Sequence, residues 1–227
     1  MLYRDRTEAG KVLAEHLQRF ANREDVVVLA LPRGGVPVAA AVARALHAPL
    51  DVFVVRKLGL PGQEELAIGA IATGGVCILN DEVLRYLGLL PSTIERIECR
   101  ERKELNRREL LYRDGRPVLD PQGCKVILVD DGLATGSTML AAVKAVRQKN
   151  AARVIVAVPV GAAEACAQLG RVADECVCAA KPEPFIAVGR WYHDFTQTSD
   201  EEVRSLLQHA YIHRPAAVHA LEERHHL

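Results

Sequence analysis

The stretch 126-VILVDDGLATGSTMLAAV-143 decides how the rest of the chain is read. Val126 to Val129 form a short apolar run, the pattern of a strand covered on both faces. Asp130 and Asp131 follow at its carboxyl end, and then come the small residues Gly132, Ala134 and Gly136. Thr135, Ser137 and Thr138 add hydroxyls, and helical spacing is predicted over 136–149. Ligands of open α/β sheets bind beyond the carboxyl ends of the strands. The amides of 135 to 138 open a helix, where unpaired N–H groups attract a phosphate. Two adjacent carboxylates are wrong for that anion but right for accepting from two neighbouring sugar hydroxyls. A ribose 5-phosphate unit meets both demands, with the acids at its hydroxyls and the loop at its phosphate.

Outward from this stretch, similar apolar runs recur at DVVVLAL (25–31), DVFVVRK (51–57), RVIVAVPV (153–160) and DECVCAA (174–180), with VCIL (76–79) as a further short strand. Helices are predicted at 7–20, 36–47 and 162–170 as well as 136–149. Alternation of strand and helix predicts an α/β fold, a mostly parallel sheet flanked by helices with right-handed crossovers, in a single domain over 1–227. Residues 81–113 read as a helical insertion. Their run IERIECRERKELNRRELLYR alternates in sign, as a solvated helix with i,i+4 pairs does, although its arginines also suit a partner surface. The Gly-rich segment LGLPGQEELAIGAIATGG (58–75) is expected to contain a mobile loop. Residues 181–227 read as a small hood and a C-terminal helix. Aromatic residues make up only 4% of the chain, so Phe185, Trp191, Tyr192 and Phe195 stand out there, either as core packing or as a surface for a flat ligand.

Lys plus Arg and Asp plus Glu both number 29, so no whole-molecule field favours nucleic acid or an anionic membrane. No run approaches the ~18 apolar residues of a membrane span. MLYRDRTEAGKVLAEHL carries charges where a signal peptide needs an apolar run, and a cytoplasmic location is expected. The six cysteines show no C-x-x-C pair and read as reduced thiols; Cys176 and Cys178 share one strand face. No histidine needs a catalytic role; His193 reads as a surface or packed residue, and His209, His213, His219, His225 and His226 fall in or near a polar C-terminal helix and tail.

VILVDDGLATGST resembles the 5-phosphoribosyl 1-pyrophosphate (PRPP) motif of type I phosphoribosyltransferases, departing at Gly132, where that family more often has a larger residue. PRGGVP (32–37) is similar to the family's pyrophosphate loop, and VRK (55–57) to its basic position nearby. Residues 58–75 take the place of its flexible loop, with Glu64 and Glu65 as candidate loop acids. PFIAVGRWYHDF (184–195) is similar to the hood end of hypoxanthine-type members. The resemblance implies Mg²⁺-dependent displacement of pyrophosphate from C1 of PRPP by a ring nitrogen of a small planar base. It places Asp130 and Asp131 at the ribose hydroxyls as the catalytic pair, and Thr135, Gly136, Ser137 and Thr138 at the 5-phosphate. It places Arg33, Gly34, Gly35 and Lys57 at the pyrophosphate, with Arg56 as a second candidate cation. Phe185 or Trp191 would stack on the base, and Asp194 would face the diphosphate and metal.

Neither the acceptor base nor an assembly of identical subunits is fixed by these residues. A non-catalytic PRPP- or nucleotide-binding regulator on the same fold is the alternative. A nucleotide-binding oxidoreductase is disfavoured, because no G-x-G-x-x-G follows the first strand.

Overall fold

The computed structural model describes residues 1–60 and 63–213. In chain order they form α1 (Arg6–Glu15), β1 (Val26–Ala30), α2 (Gly35–Leu46), β2 (Leu50–Val52), β3 (Val55–Leu60), β4 (Gln63–Ala72), β5 (Val76–Leu79) and α3 (Asp81–Leu87). Then follow α4 (Pro91–Arg113), β6 (Lys125–Val129), α5 (Ser137–Gln148), β7 (Arg153–Val160), α6 (Ala163–Leu169), β8 (Glu175–Ala180) and α7 (Asp200–Ile212).

Five strands pair in parallel in the order β2-β1-β6-β7-β8. The continuous apolar runs have a direct cause, since successive side chains enter opposite faces and both faces are covered. Val26, Val28, Ala30, Ile127, Val129 and Ile155 enter a core with residues of α1, α2 and α7. Their neighbours Val27, Leu29, Val126, Leu128, Val154 and Val156 enter a second core with residues of α5 and α6. Each large aliphatic side chain fully removed from water contributes about 1.5–3 kcal/mol.

One expectation needs correction. The run 51–57 is not one strand: β2 ends at Val52 and β3 begins at Val55. Between them Phe53 N donates to Ala30 O (2.8 Å), while Val54 N donates to Thr73 Oγ1 (2.8 Å) and Thr73 N to Val54 O (2.9 Å). The chain therefore changes sheets at Phe53–Val54. The described residues of 58–75 supply the rest of β3, all of β4 and a turn into β5, an antiparallel sheet in the order β3-β4-β5, while 61 and 62, within the segment expected to contain a mobile loop, lie outside the described residues. Glycine at 69 allows close pairing, since a Cβ there would overlap Ile78 O on β5. Glu64 and Glu65 lie on β4, but their side chains fall outside what is described.

The segment 81–113 is two helices, α3 and α4. On α4, Arg102 pairs with Glu98, and Arg107 and Arg108 both pair with Glu104, giving the expected i,i+3 and i,i+4 lattice. Its buried side is fastened by charge. Arg113 Nε lies 3.0 Å from Asp51 Oδ2, and Arg113 also donates to Glu109 and Val52 O. Glu101, 6% exposed, accepts from both Arg56 Nε (3.0 Å) and Arg56 Nη2 (2.7 Å). Among the described residues no helix is long and apolar enough to cross a membrane.

After β8 the chain passes through a 3-10 turn at Val188–Trp191 and runs beside the residues that precede α1. Tyr3 and Tyr192 form a parallel bridge, and Leu2 N and Tyr3 N both donate to Trp191 O. His219, His225 and His226 lie outside the described residues.

Candidate functional site

The site forms where β1 and β6 end side by side, in register at Ala30↔Val129. Gly34 and Gly35 open α2, and a Cβ on either would collide with the acids beyond β6. At Gly34 it would overlap Asp131 Oδ2; at Gly35 it would lie 2.8 Å from Val129 O and 2.9 Å from Asp130 Cα. Here glycine is required by close approach of two loops. The Pro32–Arg33 peptide is cis.

Asp130 and Asp131 stand where these two loops meet. Asp130 Oδ1 accepts from Asp131 N (2.8 Å), and Asp131 Oδ2 from Arg6 Nε (2.8 Å). Burial, and then the charge of Asp131, push the Asp130 carboxyl well above the usual range. Burial also raises Asp131, with Arg6 opposing. One proton is thus held more readily by this pair than by two free aspartates.

The next turn leaves its donors open. Gly136 precedes α5 with φ +72°, a left-handed conformation that favours glycine, and no side chain caps the helix. Thr135 Oγ1 and Ser137 Oγ are exposed and 3.3 Å apart, and Thr138 follows in the first turn. Uncapped amides, with the positive end of a twelve-residue helix behind them, suit a phosphate dianion. Gly132 has its own reason to be small: a Cβ would lie 2.5 Å from Val188 Cγ1 and 3.0 Å from Val160 O. The terminal hood rests on that position.

A model of the phosphoribosyl transferase domain matches residues 5–179. The chain belongs to that family. It is 48% identical over 210 residues to a protein of Mycobacterium tuberculosis (strain H37Rv) named "Putative phosphoribosyl transferase", an alignment covering 92% of this chain and 47% of the relative. The chain therefore spans about half the length of the curated relatives it matches. Among solved structures, the crystal structure of TT1426 from Thermus thermophilus is similar, with 45% identity, a TM-score of 0.82, and coverage of 92% of this chain and 99% of that one.

Within this phosphoribosyl transferase fold the remaining candidates are scattered more widely. Arg33 turns towards α7, with Nη1 3.7 Å from Asp200 Oδ1, an acid that also accepts from Tyr112 OH (2.8 Å). Arg56 is engaged with Glu101 on α4, whereas its neighbour Lys57 is exposed. Phe185 and Trp191 pair at 6.4 Å between ring centroids and pack partly against Tyr3, Val160 and Tyr192. Trp191 Nε1 is buried without a hydrogen-bond partner among the described residues. Asp194 is exposed; hydrogen bonds from Thr196 N (2.9 Å) and Thr196 Oγ1 (2.6 Å) lower its pKa.

Three contributors were given no contact with the acid pair from sequence: Arg6 and Val188 were not singled out, and Tyr192 stood out only among the aromatics. Arg6 reaches Asp131 from α1, donates to Thr196 O (2.7 Å) and lies 3.9 Å over the Phe195 ring. Tyr192 OH donates to Asp131 O (2.6 Å), and Val188 covers Gly132. Arg6 carries no local signal, because its partner lies 125 residues away; the aromatic cluster did mark the neighbourhood of Tyr192.

Proposed function

We propose that the protein is an active phosphoribosyltransferase, transferring the 5-phosphoribosyl group of PRPP to a nitrogenous base with release of pyrophosphate. The observation that carries this is the Gly34–Gly35 turn pressed against Asp130 and Asp131, with the uncapped start of α5 a few residues further on. Asp130 and Asp131 accept from the ribose 2′ and 3′ hydroxyls. Thr135, Gly136, Ser137 and Thr138 hold the 5-phosphate, and Arg33, Gly34, Gly35 and Lys57 the pyrophosphate.

In the transition state positive charge develops on the sugar ring and negative charge on the leaving diphosphate. The two carboxylates favour the first, and the glycine-rich turn with its cations favours the second. Arg6 holds one oxygen of Asp131 and so orients that carboxylate. Phe185 or Trp191 offers a flat face to the base, and closure of the hood excludes water from C1.

The donor set fits Mg²⁺. Its carboxylates are hard oxygen ligands, and no cluster of three His, Cys, Asp or Glu among the described residues forms a metal cage. That suits an ion that keeps several waters and binds mainly through the diphosphate. Asp130 and Asp131 would hold it through those waters, with Asp194 as an indirect contributor. When bound, it supplies charge neutralisation at the leaving group.

The test is pyrophosphate release from PRPP and Mg²⁺ across a panel of purine and pyrimidine bases. One base should support turnover, and Asp131→Asn should lower it by about 10²-fold or more with the fold retained. Unchanged turnover in that variant would remove Asp131 from the mechanism. A second reading, a PRPP- or nucleotide-binding regulator, is favoured by the Arg6 cation already seated on Asp131. It predicts saturable PRPP binding with no pyrophosphate released for any base.

A further inference from the structure

Three thiols converge behind the hydroxyl-rich turn. Cys166 lies on α6, and Cys176 and Cys178 lie two residues apart on β8, the edge strand of the parallel sheet. Cys166 and Cys178 meet at Gly161, between β7 and α6. A Cβ at that glycine would lie 2.8 Å from Cys166 Sγ and 3.3 Å from Cys178 Sγ, so both sulfurs crowd the space a methyl would take. Cys176 and Cys178 are poorly placed to bridge each other, because residues two apart in a strand point the same way and hold their Cβ atoms about 6.6 Å apart, against the ~3.5–4.5 Å of a disulfide. Cys166 is the partner common to both.

The chemistry of the three is uneven. The neighbouring thiols Cys176 and Cys178, aided by the Lys181 cation, hold the Cys166 thiol below its ordinary range, while those two thiols are raised. A lowered thiol is the nucleophilic one. Cys166 is buried, but Cys176 and Cys178 are partly exposed on the sheet edge and Lys181 is exposed, which gives a small oxidant a way in. Cys178 Sγ also lies 3.1 Å from Ala180 O.

The same glycine carries the candidate phosphate loop. Leu133 N donates to Val160 O (2.9 Å) and Ala162 N to Leu133 O (2.9 Å), clamping the loop to both sides of Gly161. Further along, Gly136 abuts Leu169 and Ala165, the neighbours of Cys166 on α6. Any shift of α6 against β8 is therefore passed to residues 132–136.

We propose that Cys166 and Cys178 form an oxidisable dithiol, converted by hydrogen peroxide to a disulfide that loosens the loop at 132–136. The Cys166 thiolate attacks one peroxide oxygen and the O–O bond breaks, leaving a sulfenic acid and a hydroxide, which takes up the proton the thiol released and becomes one water. The sulfur of Cys178 then attacks the sulfenic sulfur, and its proton leaves with the hydroxyl as a second water. Two electrons pass from the thiol pair to the peroxide. That the loop holds a phosphate rests on the function proposed above; the thiol chemistry does not.

The test uses the full chain, treated with hydrogen peroxide, alkylated without reductant and digested with trypsin. Because Lys181 precedes Pro182, Cys166 falls in peptide 154–171 and both other thiols in 172–190. The expected result is a cross-linked pair of these peptides that survives Cys176→Ser and disappears in Cys178→Ser and Cys166→Ser. Should a variant fail to fold, the wild-type peptide map alone decides whether the link forms. Amide exchange at Leu133 and Ala162 should quicken by about 5-fold or more on oxidation, and return on reduction. Cys166 remaining fully alkylatable while the exposed Cys99 is oxidised would overturn the proposal. A disulfide with unchanged exchange in the loop would overturn the coupling. Neither result bears on pyrophosphate release, so failure here and failure of the transferase reading are separable.

Discussion

Helix α4 and its three-stranded sheet share the apolar core of the parallel sheet and add a buried ion cluster to it, whereas the hood around Tyr192 is held through rings and main chain. The first joint consists of Asp51–Arg113–Glu109, largely out of water, while Arg56–Glu101 ties β3 to α4 within the appendage. The second consists of the tilted Tyr3–Tyr192 and Tyr192–Phe195 ring pairs, at 5.5 and 5.1 Å, and two tyrosine hydroxyls. Those hydroxyls donate to backbone carbonyls, Tyr3 to Pro159 O (2.8 Å) and Tyr192 to Asp131 O (2.6 Å). A buried ion pair fixes orientation but is brittle, because removing one partner strands the other. Rings joined to main chain bury area with little dependence on pH: burial pushes the Tyr3 hydroxyl up to about 12 and raises Tyr192 further. The appendage should therefore fail abruptly and the hood by degrees.

Asp51→Ala should break the first joint most severely. Arg113 would lose its main partner, and Leu119 N an acceptor at 3.1 Å, for a loss of about 3–5 kcal/mol in urea denaturation. A loss below ~1 kcal/mol would mean the joint contributes orientation only.

Gly132→Ala attacks the second joint from below. The new methyl meets Val188 and Val160 O, and overpacking of this kind costs about 1–3 kcal/mol. Because Val188 belongs to the hood, the environment of Trp191 should change as well, read by its fluorescence.

Asp130→Asn, between the two joints, is expected to stabilise. The folded-state pKa of Asp130 is raised, first by burial and then by Asp131. The wild type therefore gains stability below the ordinary carboxylate pKa and loses it as pH rises through the folded value. At pH ~7 the variant should exceed the wild type by about 0.5–2 kcal/mol, and the gain should vanish on acidification through the carboxylate range. A gain that persists in acid would show that charge is not its source.

Tyr192→Phe should have the smallest effect, about 0.5–1.5 kcal/mol for one hydroxyl, constant between pH ~6 and 9. A clear pH dependence in that window would blur the contrast between the two joints.

The parallel sheet was legible because its strands are covered on both faces and so appear as unbroken apolar runs. The run 51–57 misled for that very reason. Phe53 and Val54 are as apolar and buried as their neighbours, and nothing local records that their amides turn to different sheets. The antiparallel strands were hidden by Gly69, Ala67 and Ala70, whose small side chains blur the alternation a hairpin normally shows. At the site, the acids, the glycines and the hydroxyl turn follow from chemistry confined to a few consecutive residues. Arg6 does not, since a cation at the start of an amphipathic helix reads as solvated until the fold brings Asp131 to it. Arg56 and Lys57 are adjacent and equivalent in sequence; only the position of Glu101 separates them.

The ring around Asp131 is closed by Arg6 on one side and Tyr192 on the other, 186 positions apart. During synthesis on the ribosome, the acid pair can form with its strand long before that ring is complete. Formation of the acid pair and closure of its ring are thus separated in time: Arg6 emerges before Asp131, and Tyr192 reaches it only after β8 has emerged.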